Sequence, residues 1–176
     1  LVVFGCLFLA SCTEERPDTS AVGGPQFEGT SQAEVVELAG APLFEGMSEY
    51  SYPISSQVPH VQRYFDQGMV LAFAFNHAES IRSFRAAQTL DPNCAICYWG
   101  EALATGPNIN VTSKGKVIMS PEERVASYAA IQKAISLKQF ASEKEEALIE
   151  ALSTRYTGEA ATPREPLDQA WAASME

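Results

Sequence analysis

Positive charge is scarce in this 176-residue sequence, which has 12 lysines and arginines against 22 aspartates and glutamates and a formal net charge of −10. Such a chain has no electrostatic attraction for nucleic acid or for anionic membrane surfaces, so neither is expected as a partner. The acidity is uneven, because eight of the acidic residues, with a single arginine, lie between residues 12 and 57. The rest of the chain is therefore close to neutral.

The common catalytic signatures are also missing. The sequence has no glycine-rich phosphate loop, no GxSxG elbow, no HExxH motif and no GxGxxG motif. Histidine is limited to His60 and His77, and only one CxxC is present, so the cysteines alone cannot build a closed zinc site. We therefore predict no catalytic residue and no cofactor, and the pattern favours a binding protein over an enzyme.

The apolar run at the N-terminus, LVVFGCLFL, is too short to span a bilayer as a helix and is typical of the core of a signal peptide. Leu9-Ala10-Ser11-Cys12 follows it and resembles the bacterial lipobox, whose cysteine is lipidated and becomes the new N-terminus. Residues 1–11 are thus predicted to be a partial lipoprotein signal peptide, with Cys12 as the lipidation site. The alternatives are a truncated transmembrane anchor or a chance match. Thr13 resembles an outer-membrane sorting residue, which predicts a bacterial cell-envelope protein facing the periplasm.

Three further features define the predicted domain organisation. Residues 12–41 read as an acidic flexible tether, and residues 42–57, with two prolines and scattered apolar residues, as an irregular segment packed on its neighbour. Residues 58–176 read as helical. The chain begins at Leu1 instead of methionine and stops inside a predicted helix, so we expect an N-terminal fragment of a longer protein.

The region from residue 58 onward shows helical periodicity and no alternating strand pattern, which predicts an all-α fold. Three capping boxes begin at Ser120, Ser142 and Thr162, each with a glutamate three residues later. The patterns together predict helices over 61–75, 78–90, 94–104, 121–138, 143–157 and 163–175.

A 34-residue register runs through the first of these helices and ends at Pro92. It resembles the tetratricopeptide repeat, which predicts an antiparallel helix-pair solenoid with a right-handed superhelix and about 2.5 repeats. The second repeat carries a long insertion between Gly106 and Ser120. The matching positions of the first repeat are Tyr64, Gly68, Leu71, Ser80, Phe84 and Ala87.

The segments FNHAESIRSF, LDPNCAICYWG and GPNIN, within residues 64–110, resemble a family of exported bacterial tetratricopeptide-repeat lipoproteins. The resemblance covers about residues 42–176. It implies a helical-repeat fold and an envelope location, and it implies that the FNHAE and GPNIN segments lie close in space.

In repeats of this kind the first helices line a concave groove. Carried over by position, the groove would be apolar and aromatic, a surface that suits a protein or peptide partner. The alternative is that residues 42–57 or further helices fill the groove, which would make it interior. The predicted groove residues are Gln62, Phe65, Met69, Ala72, Phe73, Ile96, Trp99 and Leu103.

Cys94 and Cys97 allow three interpretations in an exported protein: a structural or redox-active disulfide, half of a metal site, or two small buried residues. Cys97 precedes Tyr98 instead of histidine, so a c-type haem attachment site is excluded.

His77 lies in the turn before a helix, where a polar residue commonly caps the helix. The resemblance also allows it to ligate a metal ion together with Asn108 and Asn110, or with Glu101. The sequence thus supports two functions. The first is a lipid-anchored scaffold that binds a protein or peptide, and the second is a metal- or cofactor-binding protein with a site near His77, the Asn108/Asn110 loop and Cys94/Cys97.

Overall fold

The computed structural model describes residues 29–107, 119–159 and 162–176. Within these ranges the chain forms seven α-helices and no strand, which confirms the all-α prediction. No helix in these ranges has the length and apolar character needed to cross a membrane. The helices are α1 (Gln32–Ala39), α2 (Val61–Phe73), α3 (His77–Leu90), α4 (Ala95–Thr105), α5 (Pro121–Ser136), α6 (Glu143–Ser153) and α7 (Arg164–Ser174), with a short 3-10 helix at Lys138–Phe140.

Helix α1 corrects the predicted tether, which was assigned to residues 12–41. Ser31 and Glu34 form a capping box at its start, and Gly40 ends it in the left-handed conformation with φ of 70°. Val35 is completely buried, and α1 packs on α3. The part of the tether that the structure describes is therefore mostly a docked helix. The predicted signal peptide and Cys12 lie outside the described residues.

The capping boxes at Ser120 and Ser142 are confirmed, since each hydroxyl accepts the amide of the glutamate three residues later. The box predicted at Thr162 is wrong. Helix α7 begins after Pro163 with no side-chain cap. The hydroxyl of Thr162 instead lies 3.0 Å from that of Thr157, which takes it away from the helix end.

Helix α3 is wedged between α2 and α4, and Phe84 is the centre of this contact. Gly68 on α2 and Gly100 on α4 both face the Phe84 ring, and a methyl group on Gly68 would come within 2.8 Å of it. The hydroxyl of Ser80 donates to the carbonyl of Gly68 at 2.7 Å, which shows how closely α2 and α3 approach. The three helices therefore form one packed unit.

The remaining helices extend this unit. Helix α5 packs on α4, α6 packs on both α4 and α5, and α7 packs on α6. Arg155 holds α7 in place by pairing with Asp168 at 3.0 Å and by stacking on Trp171. Arg164, the first residue of α7, pairs with Asp168 within the helix at 2.6 Å and donates to the Arg155 carbonyl at 2.7 Å. The side chains less than 2 % exposed run through the whole assembly and include Tyr64, Phe65, Phe84, Leu90, Ile96, Ile131, Ile149 and Leu152.

Candidate functional site

The predicted groove is not an open surface in the structure. Phe65, Met69 and Trp99 are buried, and so is Ile96, whereas Gln62, Ala72 and Leu103 are partly buried. Phe73 alone among the predicted groove residues is exposed, at 66%. The prediction of an open groove is therefore wrong for most of its residues.

Two elements close the groove. Residues 41–58, which we call the 41–58 segment, run without helix or strand along α2, and the Tyr52 ring lies 6.3 Å from the Phe65 ring. On the other side, the indole of Trp99 donates to the carbonyl of Leu148 in α6 at 3.0 Å. Trp99 is thus a core residue.

Two glutamines of α2 hold the backbone of the 41–58 segment. The Gln62 amide donates to the Tyr52 carbonyl at 2.8 Å, and its oxygen accepts the Ile54 amide at 3.1 Å. The Gln67 amide donates to the Pro42 carbonyl at 2.9 Å, and its oxygen accepts the Phe44 amide at 2.7 Å. Side chains of α2 therefore supply the hydrogen bonds that a neighbouring strand would otherwise supply.

Two more α2 side chains contribute to the same surface. The Tyr64 hydroxyl donates to the carbonyl of Ala41 at 2.6 Å, and the Asp66 carboxylate accepts the amide of Tyr52 at 3.0 Å. Burial raises the pKa of Tyr64 above its ordinary value, so its hydroxyl stays a donor at neutral pH.

The end of the 41–58 segment is held by carboxylates from distant parts of the chain. Glu145 of α6 is 1% exposed and accepts the Ser55 amide at 2.9 Å as well as the Ser55 hydroxyl. The same carboxylate accepts the Ser142 amide at 2.7 Å in the capping box of α6. Ser56 donates to Asp91 at the end of α3. Hydroxyl groups of the segment thus meet carboxylates on two different helices.

A set of large apolar side chains remains exposed along α2 and just beyond its C-terminal end, and we call it the aromatic patch. Tyr50 and Phe73 stack edge to face with ring centroids 6.3 Å apart, and Phe75 follows two residues beyond Phe73. Phe44 and Met47 line a shallow depression with Tyr50. The exposed fractions are Phe44 43%, Met47 37%, Tyr50 38%, Phe73 66% and Phe75 52%.

Phe75 has an unusual backbone. Its φ is +61°, in the left-handed region that bulky residues rarely adopt. The Asn76 amide donates to the Leu71 carbonyl at 2.9 Å, so Phe75 occupies the position at a helix end where glycine is usual. A strained residue whose ring is half exposed contributes little to folding, and such strain is concentrated at functional sites.

The charged rim of the aromatic patch is acidic on balance. Arg63 pairs with Glu45 at 2.9 Å, and the pKa of Glu45 is lowered by hydrogen bonds from Gln32 and from Arg63. Asp66 lies beside the patch, and its charge adds to burial in raising the pKa of Tyr50. The patch therefore combines aromatic faces with negative charge.

Cys94 and Cys97 form a disulfide, with Cα atoms 5.3 Å apart, at the start of α4. Cys94 is 4% exposed and Cys97 is fully buried. The bond closes a four-residue loop, and its contribution to stability is of order 2 kcal/mol by loop-closure entropy. Its burial fits a structural role, and joined sulfurs are not available as metal ligands.

His77 is the first residue of α3, and it does not cap the helix by a side-chain hydrogen bond. Both ring nitrogens are buried and have no hydrogen-bond partner among the described residues, and the ring centroid lies 6.2 Å from that of Phe75. Asn108 and Asn110, its predicted co-ligands, lie outside the described residues. In the described part of the chain, no three His, Cys, Asp or Glu side chains converge as metal ligands would.

Two features of the site could not be read from residue types. The glutamine contacts to the 41–58 segment involve backbone partners, which leave no signature in the sequence. The strain at Phe75 has a weak signal, because the repeat pattern favours glycine there. No family model, no curated protein and no solved structure matches the chain.

Proposed function

We propose that this chain is part of a lipid-anchored, periplasm-facing helical-repeat scaffold that binds a protein partner through the aromatic patch. The observation that carries the proposal is the exposure of five large apolar side chains, with Phe73 at 66%. Four of them are joined through the Tyr50–Phe73 contact and the depression beside it. Contiguous exposed aromatics mark protein–protein contact sites, where they supply most of the binding energy.

The packing of α2, α3 and α4 supports a repeat architecture of the tetratricopeptide type. Gly68 faces the Phe84 ring where α2 approaches α3, and both are positions of the 34-residue register, whereas Gly100 of α4, which also faces the ring, is not. The register positions Tyr64, Ser80 and Ala87 are all fully buried. Scaffolds of this class function through exposed surfaces and need no catalytic group.

The patch differs from the groove that the sequence predicts, because the 41–58 segment covers that groove and itself contributes Phe44, Met47 and Tyr50 to the patch. The strained conformation of Phe75 adds to the proposal. Glycine at this position would relieve about 1 kcal/mol of strain, so an exposed phenylalanine here has a cost to folding.

Photocrosslinking in cells tests this proposal. The photoreactive residue p-benzoylphenylalanine replaces Phe73 in one variant and Val125 in a matched control, since Val125 is also exposed, at 57%, but lies on α5. We expect a discrete crosslinked product from position 73 and none from position 125. Adding Phe75→Asp to the first variant should remove the product while helicity is unchanged.

Equal crosslinking from the two positions, or none from position 73, would contradict the aromatic patch as the partner site. Identification of the crosslinked protein by mass spectrometry then defines the partner.

A second candidate function is metal binding at His77. The two buried ring nitrogens, which have no hydrogen-bond partner in the described part of the chain, favour it, because a buried polar group is normally satisfied. Native mass spectrometry of the protein purified with ordinary trace metals tests it. A stoichiometric metal that is lost in His77→Gln supports this function, and a metal-free mass in both proteins excludes it for this chain.

A further inference from the structure

The contacts of Gln62 and Gln67 repeat one geometry. Each glutamine binds the carbonyl of one residue and the amide of the residue two positions later, Tyr52 and Ile54 in the first case and Pro42 and Phe44 in the second. This is the spacing at which an extended strand presents its backbone groups on one edge. The recognition uses main-chain atoms, so any extended polypeptide can satisfy it.

The side chains around Tyr52–Ser56 add selectivity to this backbone recognition. The Tyr52 ring lies against Phe65, with the Lys144 ammonium 5.2 Å from its centroid. Ile54 is half-buried. The two serines that follow donate to Glu145 and Asp91. A ligand for this surface is therefore extended and carries an aromatic residue, an aliphatic residue two positions on, and then two hydroxyl residues.

The 41–58 segment is attached next to the surface that it covers. It joins α2 through His60, which has φ of +68°, so the chain turns back on itself in a strained conformation. Between Gly40 and His60 there is no helix or strand to release. The segment can therefore leave without unwinding a regular element, although Phe65 would then be uncovered.

From this arrangement we infer that the surface formed by α2, α6 and the end of α3 is a binding site for an extended polypeptide of a partner. Residues 52–56 of the chain occupy it intramolecularly and block it. The partner segment carries the pattern aromatic-x-aliphatic-Ser-Ser. The site involves residues 52–56, whereas the aromatic patch takes Phe44, Met47 and Tyr50 from the same segment, and the inference does not depend on the function proposed for the patch.

The covalent attachment of residues 52–56 explains how they keep a free peptide out of the site. A segment tethered by a short link has an effective concentration of about millimolar at its own site. A free peptide of the same sequence therefore competes poorly with it at micromolar concentration. Weakening the attached copy should open the site to the free peptide.

Fluorescence anisotropy of the full chain tests the inference, with a labelled peptide of residues 49–58 as the probe. Ile54→Pro weakens the attached segment, since proline lacks the amide that Gln62 accepts. Ser51→Pro is the matched control, because Ser51 is exposed in the same segment and its amide is not held by α2. We expect the peptide to bind Ile54→Pro at least 10-fold more tightly than wild type or Ser51→Pro. Adding Gln62→Leu to Ile54→Pro should abolish binding.

A peptide that binds none of the variants while their helicity persists would overturn the inference. Hydrogen exchange of the wild-type chain provides a second measurement that does not depend on a variant folding. If the amides of Tyr52, Ile54 and Ser55 exchange well before those of α3, the segment opens locally, as the inference requires. If they exchange only with global unfolding, the segment is a permanent part of the core and the inference fails.

Discussion

At the scale of single residues, Glu145 connects two parts of the chain that are far apart in sequence. Its carboxylate is 1% exposed, and the four hydrogen bonds that it accepts all come from neutral donors of Ser55 and Ser142. A buried carboxylate held in this way is stable only while its donors stay in place. It therefore links the start of α6 to the 41–58 segment.

Replacement of Glu145 should reveal this linkage. Glu145→Ala leaves buried amides and hydroxyls unpaired, and we expect the free energy of unfolding to fall by about 3 kcal/mol. Glu143→Ala is the control, since Glu143 is exposed in the same turn, and a change within about 0.5 kcal/mol is expected there. Urea unfolding measures both. Equal effects would mean that the buried hydrogen bonds contribute little.

Tyr156 should give the chain a distinct alkaline response. Its hydroxyl donates to the Ala102 carbonyl at 2.7 Å, and burial raises its pKa from 10.0 to about 12. Because the folded-state pKa is raised, the stabilisation is complete below pH 10 and is lost as the pH rises towards 12. A two-unit shift corresponds to about 2–3 kcal/mol.

The substitution Tyr156→Phe removes this pH-dependent contribution to stability. At pH 7 the variant should be less stable by about 1 kcal/mol, because one hydrogen bond is lost. Wild type then loses stability with rising pH and the variant lacks this loss, so their urea midpoints should cross near pH 11. Parallel curves up to pH 12 would show that Tyr156 ionises freely in the folded state.

At the scale of helices, α3 is fixed by glycines on both sides. A methyl group on Gly100 would overlap the Phe84 ring, although alanine is normally the better helix former by about 1 kcal/mol. We expect Gly100→Ala to destabilise the protein by about 2–3 kcal/mol through overpacking. Phe84→Leu in the same chain should recover part of this loss, as a double-mutant cycle by urea unfolding would show. A stabilising Gly100→Ala would contradict the close packing of α3 and α4.

The helices that the sequence predicts well are those with long apolar stripes or a capping box next to such a stripe. Helices α5 and α6 begin at the predicted serines. Helix α1 has the same Ser-x-x-Glu start, but only Val35 and Ala39 are buried over eight residues. Two buried positions are too few to give a helical period, so an acidic composition suggested a tether instead.

The prediction of an open groove was wrong for a different physical reason. An apolar face on α2 has the same sequence whether a partner, a further helix or the chain itself covers it. Gln62 and Gln67 determine that the chain itself covers this face, because their side-chain amides hold the 41–58 segment. Gln67 is 6% exposed. In a sequence, glutamines that bond to the backbone look like ordinary surface residues.

At the scale of the whole molecule, the predicted lipid anchor would set the location of the proposed scaffold. Cys12 lies outside the described residues, and the proposal rests on the Leu9-Ala10-Ser11-Cys12 pattern. We expect Cys12→Ala to release the protein from membranes into the soluble fraction, since a diacylglycerol group is then no longer attached. Fractionation with an alkaline carbonate wash measures this. Retention of Cys12→Ala in the washed membranes would contradict the lipoprotein prediction.

The bond between Ser55 and Glu145 joins residues 90 positions apart, and this separation determines the order in which the chain can mature. During synthesis at about 5–20 residues per second, Ser55 emerges roughly 5–20 seconds before its carboxylate partner exists. Once residue 90 has been made, α2 and α3 can already pair, whereas the 41–58 segment lacks its distal attachment until Glu145 follows. A nascent chain therefore passes through a stage in which the α2 surface is covered only by a segment that α2 itself holds, and a chaperone that recognises extended or apolar polypeptide would meet it at that stage.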